Sequence, residues 1–362
     1  MVASNCRIGI IGAGTSGIYL ASLLRQQGYH VDVFEKAAEH RTDGCGILLV
    51  MDGMKALNVG NPELCQKIIK SGVPVKSFEF RNLKGEVANR ETVTLEEGEL
   101  PGMLVHRSEI LNILLASLPP ECLHLNAEFV SATETETGVR ANFKDGSHWE
   151  GDILVGVDGI NSRVREFVVP GVKLFYLGDL VWRGVVEDDS FCRDGEFIVY
   201  MRGRGIYANF FDLGNGQTHW GFFIEKELER SQLGRIGLPN NVIPKAELAK
   251  LPEAPRSIIE STRLDKIVSR YSYDIDPLPQ LYRDRIVLIG DAAHAKSPTR
   301  ARGMTAGLED ALSLFRHIVN SRDVQTALES FQAERMPIVH QYQQTSRDLS
   351  LKIGRLRRKK AA

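Results

Sequence analysis

The order of apolar and polar positions divides the chain into recognisable units. Arg7 to Ile11 is a short apolar run, the pattern of a buried parallel strand. From Thr15 to Gln27 the apolar positions recur with a helical period, and Gly28 stands where a helix-ending glycine belongs. His30 to Glu35 reads as a second strand, so the chain opens on a strand–helix–strand unit. Leu111, Leu114, Leu115 and Leu118 fall on one helical face, which predicts a helix over Ser108 to Leu118 with Ser108 as N-cap and Pro119-Pro120 as its stop. Leu123 to Val157 is strand-rich, with turns at Thr137-Gly138 and Asp145-Gly146. Phe197 to Met201, Ile206 to Asp212 and His219 to Glu225 predict strands joined by turns at Arg204-Gly205 and Asn215-Gly216. Prolines 239, 244, 252 and 255 lead to a predicted helix over Ser257 to Leu264. Arg285 to Ile289 returns as a buried strand, Leu308, Ala311, Leu312 and Phe315 mark another amphipathic helix, and a long helix from about Val324 closes the chain.

Two kinds of sheet follow from this pattern. The expected fold is α/β: a doubly wound, Rossmann-like cofactor domain with an inserted antiparallel-sheet substrate domain and a long C-terminal helix. The expected boundaries are 1–75, 101–172 and 265–320 for the discontinuous cofactor domain, 76–100 and 173–264 for the substrate sheet, and 321–362 for the C-terminal helix and basic tail.

At 362 residues and 43% hydrophobic composition the chain can bury a large core. Its 45 basic and 46 acidic residues leave no global field that favours nucleic acid. No apolar run approaches the roughly 20 residues that span a bilayer. The first strand starts too early to leave room for a cleavable leader. The five cysteines (6, 45, 65, 122 and 192) are scattered without metal-ligand spacing, which suits reduced thiols in a cytoplasmic protein and predicts no metal site. Lys352, Arg355, Arg357, Arg358, Lys359 and Lys360 make a basic tail, read either as a solvated end or as a weak contact for an acidic or lipid surface.

The sharpest chemical signal is Gly12-Ala13-Gly14-Thr15-Ser16-Gly17, set between a strand and a helix. Gly12 permits a tight turn, Gly14 lets backbone approach a pyrophosphate, and Gly17 lets the helix pack closely on the strand. Thr15 and Ser16 open the helix, whose free N–H groups and partial positive charge suit phosphate. Glu35, followed by Lys36, ends the second strand, where a carboxylate can accept hydrogen bonds from an adenosine ribose. This loop does not separate NAD from FAD.

Two further segments change the picture. Gly156-Val157-Asp158-Gly159-Ile160-Asn161-Ser162-Arg163-Val164-Arg165 lies mid-chain, and Gly290-Asp291-Ala292-Ala293-His294 follows the strand ending at Ile289. With the glycine loop, and in this order, they resemble the FAD-dependent aromatic monooxygenases of the para-hydroxybenzoate hydroxylase type. The resemblance runs from about residue 7 to 345, specific in the three segments and vague in the substrate sheet. It implies FAD as cofactor, NADH or NADPH as reductant, and O2 and a small organic molecule as substrates. NAD(P)H reduces FAD, O2 adds at flavin C4a, and the hydroperoxide transfers one oxygen atom to an aromatic or polycyclic substrate. It further implies that Asp291 bonds a ribityl hydroxyl, that Arg107 contacts FAD, and that Gly46, in Gly44-Cys45-Gly46, lies beside the flavin. Arg41 is a further contact, and Asp158 and Arg165 support the cofactor region. Phe331, Arg335 and Pro337 match the start of the family's C-terminal helix in a structural role.

The same resemblance aims the helix start after Pro298, with Gly303, Met304 and Thr305, at the pyrimidine edge of the flavin, where a helix N-terminus stabilises negative charge. Here the chain departs from the family's Pro-x-x-Gly-Gln-Gly-x-Asn. Ala301 stands for a glycine, so a positive φ costs more there. Arg302 stands for glutamine and Thr305 for asparagine.

Catalytic candidates are Arg183 as a polar anchor, His294 as a tuner of protonation, and Arg302 as a cation near flavin or substrate. The predicted sheet carries Trp182, Tyr200, Tyr207, Phe210, Phe211, Trp220, Phe222 and Phe223, of which strand alternation turns about half toward the flavin. The pocket is expected from Trp182, Tyr200, Phe210, Phe211, Trp220 and Phe222. Other readings stay open: a halogenase (although its Trp-x-Trp-x-Ile-Pro stretch is absent), a two-component or non-oxygenating flavin oxidoreductase, or a non-catalytic redox module.

Overall fold

A computed structural model describes residues 2, 5–39, 44–229 and 232–352. Arg41 and nearly all of the basic tail lie outside the described residues. The glycine loop sits on a six-stranded sheet ordered Tyr282–Arg283, Ile286–Leu288, Ile153–Gly156, Arg7–Ile11, His30–Phe34, Leu123–His124. All pairs are parallel except the edge pair of Tyr282–Arg283 with Ile286–Leu288. The chain leaves Arg7–Ile11 toward His30 on one side and later fills Ile153–Gly156 on the other. The strand order therefore reverses beside the first strand, where open α/β sheets bind ligands at the carboxyl ends. Helix Thr15–Gln26 covers one face. On the other, Phe129–Glu134, Val139–Phe143 and His148–Gly151 form a small antiparallel sheet. Its Trp149 ring lies over Gly9 and Gly151, where any Cβ would come within 2.7 and 2.2 Å of the ring, and its Nε1 donates to Asp32 at 2.9 Å.

The second large sheet has seven strands: Val268–Ile275, Leu174–Val186, Gln217–Glu225, Ile206–Gly214, Glu196–Gly203, Ser77–Arg81 and Val87–Thr92. Arg204-Gly205 and Asn215-Gly216 all take positive φ, the tight hairpin turns their sequence predicts. Val268–Ile275, expected within the cofactor domain, hydrogen-bonds to Leu174–Val186 and so belongs to this sheet. Its second half is buried on both faces, so its pattern there does not say which sheet it joins. A third sheet of Gly46–Leu49, Met103–His106 and Val73–Pro74 joins the two halves.

Two helix predictions shift. The helix expected at Ser257 to Leu264 is Glu253–Glu260, because proline is tolerated in a first helical turn and Pro252 and Pro255 open the helix. The helix expected from Ser108 begins at Arg107, and His106 caps it by accepting from Ser108 N–H. Helices Arg302–Asn320 and Val324–Lys352 close the described chain, and the latter contains both Pro337 and the fully buried Phe331.

Candidate active site

The three sequence segments leave the carboxyl ends of three adjacent strands, and the contacts between them are close. Gly12 has φ +112, and a Cβ there would stand 2.6 Å from the Val157 carbonyl oxygen. Ser16 Oγ packs against Gly307 and Gly290, where added Cβ atoms would lie 2.1 and 3.4 Å away. Arg165 is buried and donates to the carbonyls of Ala292 at 3.0 Å and Ile160 at 2.5 Å, stapling the second segment to the third. Glu35 accepts from the backbone of Ala13 at 3.0 Å and of Ala37 at 2.9 Å, which holds its carboxylate at the lip of the glycine loop. Asp158 is a correction. Its two oxygens accept from Ser162 Oγ, Arg163 N–H and Val164 N–H, so it closes its own turn rather than facing a ligand.

The arrangement fits FAD. Helix Thr15–Gln26 begins at an extended Gly14 with no side-chain cap and no acid in its first turn. A methyl on Gly14 would meet nothing within 4 Å. Helix Arg302–Asn320 is likewise uncapped and acid-free at its start, and Gly303 is equally open. Two positive helix ends thus point into open space with unsatisfied N–H groups, one suited to phosphate and one to an anionic ring edge. Asp291, Lys36, Arg107 and Pro298 are exposed around it, Met304 and Cys45 are half-buried, and Thr15, Ser16, Gly46 and Thr305 are buried. Thr305 Oγ1 has no hydrogen-bond partner. Ala301 does take the left-handed conformation, φ 52 and ψ 27. Ala301→Gly should therefore raise stability by about 1 kcal/mol, read as a higher denaturant midpoint with an unchanged slope.

The cleft's other wall is one face of the seven-stranded sheet. Gly46 N–H donates to His219 Nδ1 at 3.0 Å, and a Cβ on Gly46 would stand 2.7 Å from both His219 and Phe211. That contact identifies the face. Strand register then places Arg183, Tyr207, Asn209, Phe211, Gly221, Phe223 and Arg270 with His219. Arg270 keeps part of its surface open to solvent, and loss of water around its guanidinium lowers it, followed by the charge of Arg183 and, less, that of Arg107. His219 is held well below the usual imidazole range by burial and then by Arg183, so it stays a neutral acceptor for Gly46.

Five of the six expected pocket residues lie elsewhere. Trp182, Tyr200, Phe210, Trp220 and Phe222 occupy the opposite face, buried with Leu248, Leu251, Ile258 and Ile259 of the covering helices. The side-chain period of two decides this: on each strand the neighbours of the pocket-facing residues must point away. Phe211 is on the cleft face, packed with Val75, Leu104 and Leu213.

His294 and Arg302 are also corrected. His294 is buried, with Nδ1 accepting from Lys296 Nζ at 2.7 Å and Nε2 donating to Asp310. Burial and the Lys296 charge keep it neutral, so both its nitrogens are engaged and neither meets substrate. Asp310 also accepts from Gly290 N–H at 2.9 Å and Arg335 Nε at 2.8 Å, and Arg335 reaches Glu309 at 2.8 Å. Burial alone would push Asp310 up, but its cationic and hydrogen-bonding partners, with Arg335 the charged one, hold it below the usual carboxylate range. Arg302 pairs with Asp52 and lies over the Tyr342 ring, 5.0 Å from its centroid, which ties the helix start to its neighbours.

Lys296 carries a pH prediction. Burial lowers its ammonium to about 8, from 10.5. Between those values the unfolded chain binds more protons, so this group makes stability rise with pH there, and below about 8 its penalty is constant. Lys296→Met should be more stable than wild type at neutral pH by roughly 2 kcal/mol, a gain that disappears as pH climbs through that window, measured by melts across pH.

A cleft of about 630 Å³ also opens at the amino ends of the parallel strands, lined by Cys6, Glu134, Asp152, Asp284 and Arg285 among others. It lies at the wrong end of the sheet for the segments above.

The family described as FAD binding domain matches residues 5–205 and 269–346, which is most of the chain. The chain belongs to this family. Among curated proteins, 3-amino-4-hydroxybenzoate 2-monooxygenase of Streptomyces cremeus is 28% identical over 97% of this chain and 88% of its own. The FAD-dependent urate hydroxylase of Klebsiella pneumoniae is 26% identical over 95% and 87%. The crystal structure of Klebsiella pneumoniae HpxO complexed with FAD and uric acid superposes with a TM-score of 0.86 at 24% identity, covering 96% of this chain and 89% of that one, which shows the shared fold. The protein is an FAD-dependent monooxygenase of the aromatic-hydroxylase class that uses NAD(P)H. Among the described residues, no helix is long and apolar enough to cross a membrane.

In this monooxygenase, reading the sequence alone missed Arg270, Asn209 and Lys296, and left Tyr207 and Phe223 out of the pocket. One signal was available. Asn209 sits between Ala208 and Phe210, and a polar residue between apolar ones marks 207, 209 and 211 as the face turned to the cleft.

Proposed function

We propose that the enzyme hydroxylates a planar aromatic molecule bound between the cofactor segments and the sheet face of Arg183, Tyr207, Asn209, Phe223 and Arg270. The observation that carries this reading is the Gly46 N–H to His219 Nδ1 bond at 3.0 Å, which sets that sheet face against the glycine loop on the cofactor side. Names of the relatives, an aminohydroxybenzoate monooxygenase and urate hydroxylases, support a small aromatic substrate.

In this reading FAD, once reduced by NADH or NADPH, supplies the oxygen-activating chemistry. The chain supplies position and electrostatics. Helix Thr15–Gln26 would hold the phosphates with its first N–H groups, Glu35 would accept from the adenosine ribose, and Asp291 and Arg107 would hold the ribityl and nearby groups. The start of helix Arg302–Asn320 would stabilise negative charge at the pyrimidine edge. Tyr207 and Phe223 stack with centroids 3.9 Å apart, and Arg202, fixed by Asp179 at 2.8 Å, backs Tyr207 at 4.5 Å. This preset wall excludes water from one side of the substrate. The five free cysteines support a reducing, cytoplasmic setting.

The test is direct. The purified protein should be yellow or become so with FAD, its NAD(P)H oxidation should be stimulated by an aromatic substrate, and isotopically labelled O2 should leave one labelled atom in the product. Label arriving only from water would sink the reading.

A further inference from the structure

Lys296 stands apart among the buried cations. Arg202 meets Asp179, Arg335 meets Asp310 and Glu309, and Arg165 donates to two backbone carbonyls. The Lys296 side chain is buried and makes no ion pair among the described residues. Its one hydrogen bond there goes to Nδ1 of a neutral imidazole, His294, at 2.7 Å. An ammonium has three N–H donors, so two are unspent.

Its place is set by the segment that carries it, between Asp291 and the start of helix Arg302–Asn320. Gln343 Nε2 donates to the carbonyl of Ala295 at 3.3 Å, and Thr299 Oγ1 donates to the carbonyl of Ser346 at 2.9 Å. These bonds clamp the segment against helix Val324–Lys352. On that helix Gln343 Oε1 and Ser346 Oγ are buried without a partner among the described residues. Acceptors are therefore left over beside a cation with donors left over. The charges that act on Lys296 are Asp291 from its own segment, Glu309 and Asp310 from helix Arg302–Asn320, and Arg335 from helix Val324–Lys352, with Asp291 the strongest. Three carboxylates thus face two cations. With Lys296 neutral, one cation remains, and the ground behind Asp291 turns strongly negative.

We propose that Lys296 is a buried cation whose charge favours the reduced, negatively charged flavin, and that reduction in turn fixes a proton on its amine. This rests on the reading that FAD lies along Asp291 and the start of helix Arg302–Asn320. Hydride transfer from NAD(P)H brings two electrons and one hydrogen to the flavin and leaves it with one added negative charge. An opposite charge nearby favours the charged form of each group, and the coupling is reciprocal. A neutral Lys296 amine therefore takes a proton from solvent when the flavin is reduced and releases it on reoxidation. Lys296, enclosed by protein, acts through its field. Burial lowers its ammonium to about 8, which places this exchange just above neutrality. Below that value the ammonium is present in both states of the flavin and its pull is constant. The pull is lost as pH rises through the higher value that the reduced flavin sets.

The experiment measures the reduction potential of the FAD-loaded enzyme from about pH 6 to 10, in wild type and in Lys296→Met. The variant is expected to fold, since it removes a buried charge. At neutral pH its flavin should be harder to reduce by about tenfold in equilibrium constant, which is about 30 mV for two electrons. The gap should close as pH rises above about 8, where the wild-type potential falls more steeply with pH than that of the variant. A second readout is proton uptake on photoreduction in weak buffer. Between about pH 8 and 9 wild type should take up more protons per flavin than Lys296→Met. Equal potentials at neutral pH overturn the proposal. So does a gap that stays constant to about pH 10, which marks a packing effect rather than a charge. A protein that never takes up FAD sinks the cofactor reading as well, whereas a flavin-loaded protein whose potential ignores Lys296 sinks the proposal alone.

Discussion

Asp310→Ala should be strongly destabilising. The carboxylate it removes is fully engaged by His294, Arg335 and Gly290 N–H. Without it the Arg335 guanidinium keeps only Glu309, and the imidazole N–H and the Gly290 N–H lose their acceptor inside the protein. Breaking a buried pair by deleting one partner costs about 3–5 kcal/mol, a large part of a typical stability of about 5–15 kcal/mol. Gly290 directly precedes Asp291, so flavin affinity should fall with stability. The pH dependence has a definite sign. Asp310 is depressed in the folded state, so its contribution is fully present above the ordinary carboxylate pKa and is lost as pH falls through the folded value. The gap between wild type and Asp310→Ala, measured by denaturant melts, should therefore narrow on acidification. A variant within about 1 kcal/mol of wild type at pH 7 would show that the network contributes little.

Gly12→Ala should leave the protein without flavin and poorly folded, whereas Gly14→Ala should leave it folded but weak in flavin. At Gly12 the backbone has φ +112, and the new methyl would meet the backbone of Val157 at 2.6 and 2.8 Å. Neither the strain nor the clash can be relieved by turning a side chain, so the carboxyl ends of the two central strands must part. At Gly14 φ is −78 and a methyl meets no protein atom within 4 Å, so it intrudes only on the space for a phosphate. Visible spectra and melting curves of the two variants check this together. Equal melting temperatures for both, or a Gly14→Ala protein that holds FAD as tightly as wild type, would contradict the assignment of this loop.

Much of the cofactor half was legible in the chain because its signals are local. A glycine turn, an apolar strand and a helical period lie next to one another in sequence, and each constrains its own backbone whatever surrounds it. Ala301 shows the same logic: a residue standing where the family has glycine does adopt the left-handed turn. Asp158 and His294 show the limit. Each belongs to a recognisable segment, but whether its polar atoms face a ligand or a neighbour depends on hydrogen bonds that no spacing reveals.

The sequence by itself determined the fold class and a dinucleotide loop, since backbone freedom and hydrophobic period are properties of short stretches, and its resemblance to a known family named the flavin and the three segments that meet it. Only the tertiary structure decided the pocket. A one-residue change in strand register turns every side chain to the other face, so the choice between Phe222 and Phe223, or the placing of Arg183 and Arg270 on one face, is made when distant strands dock.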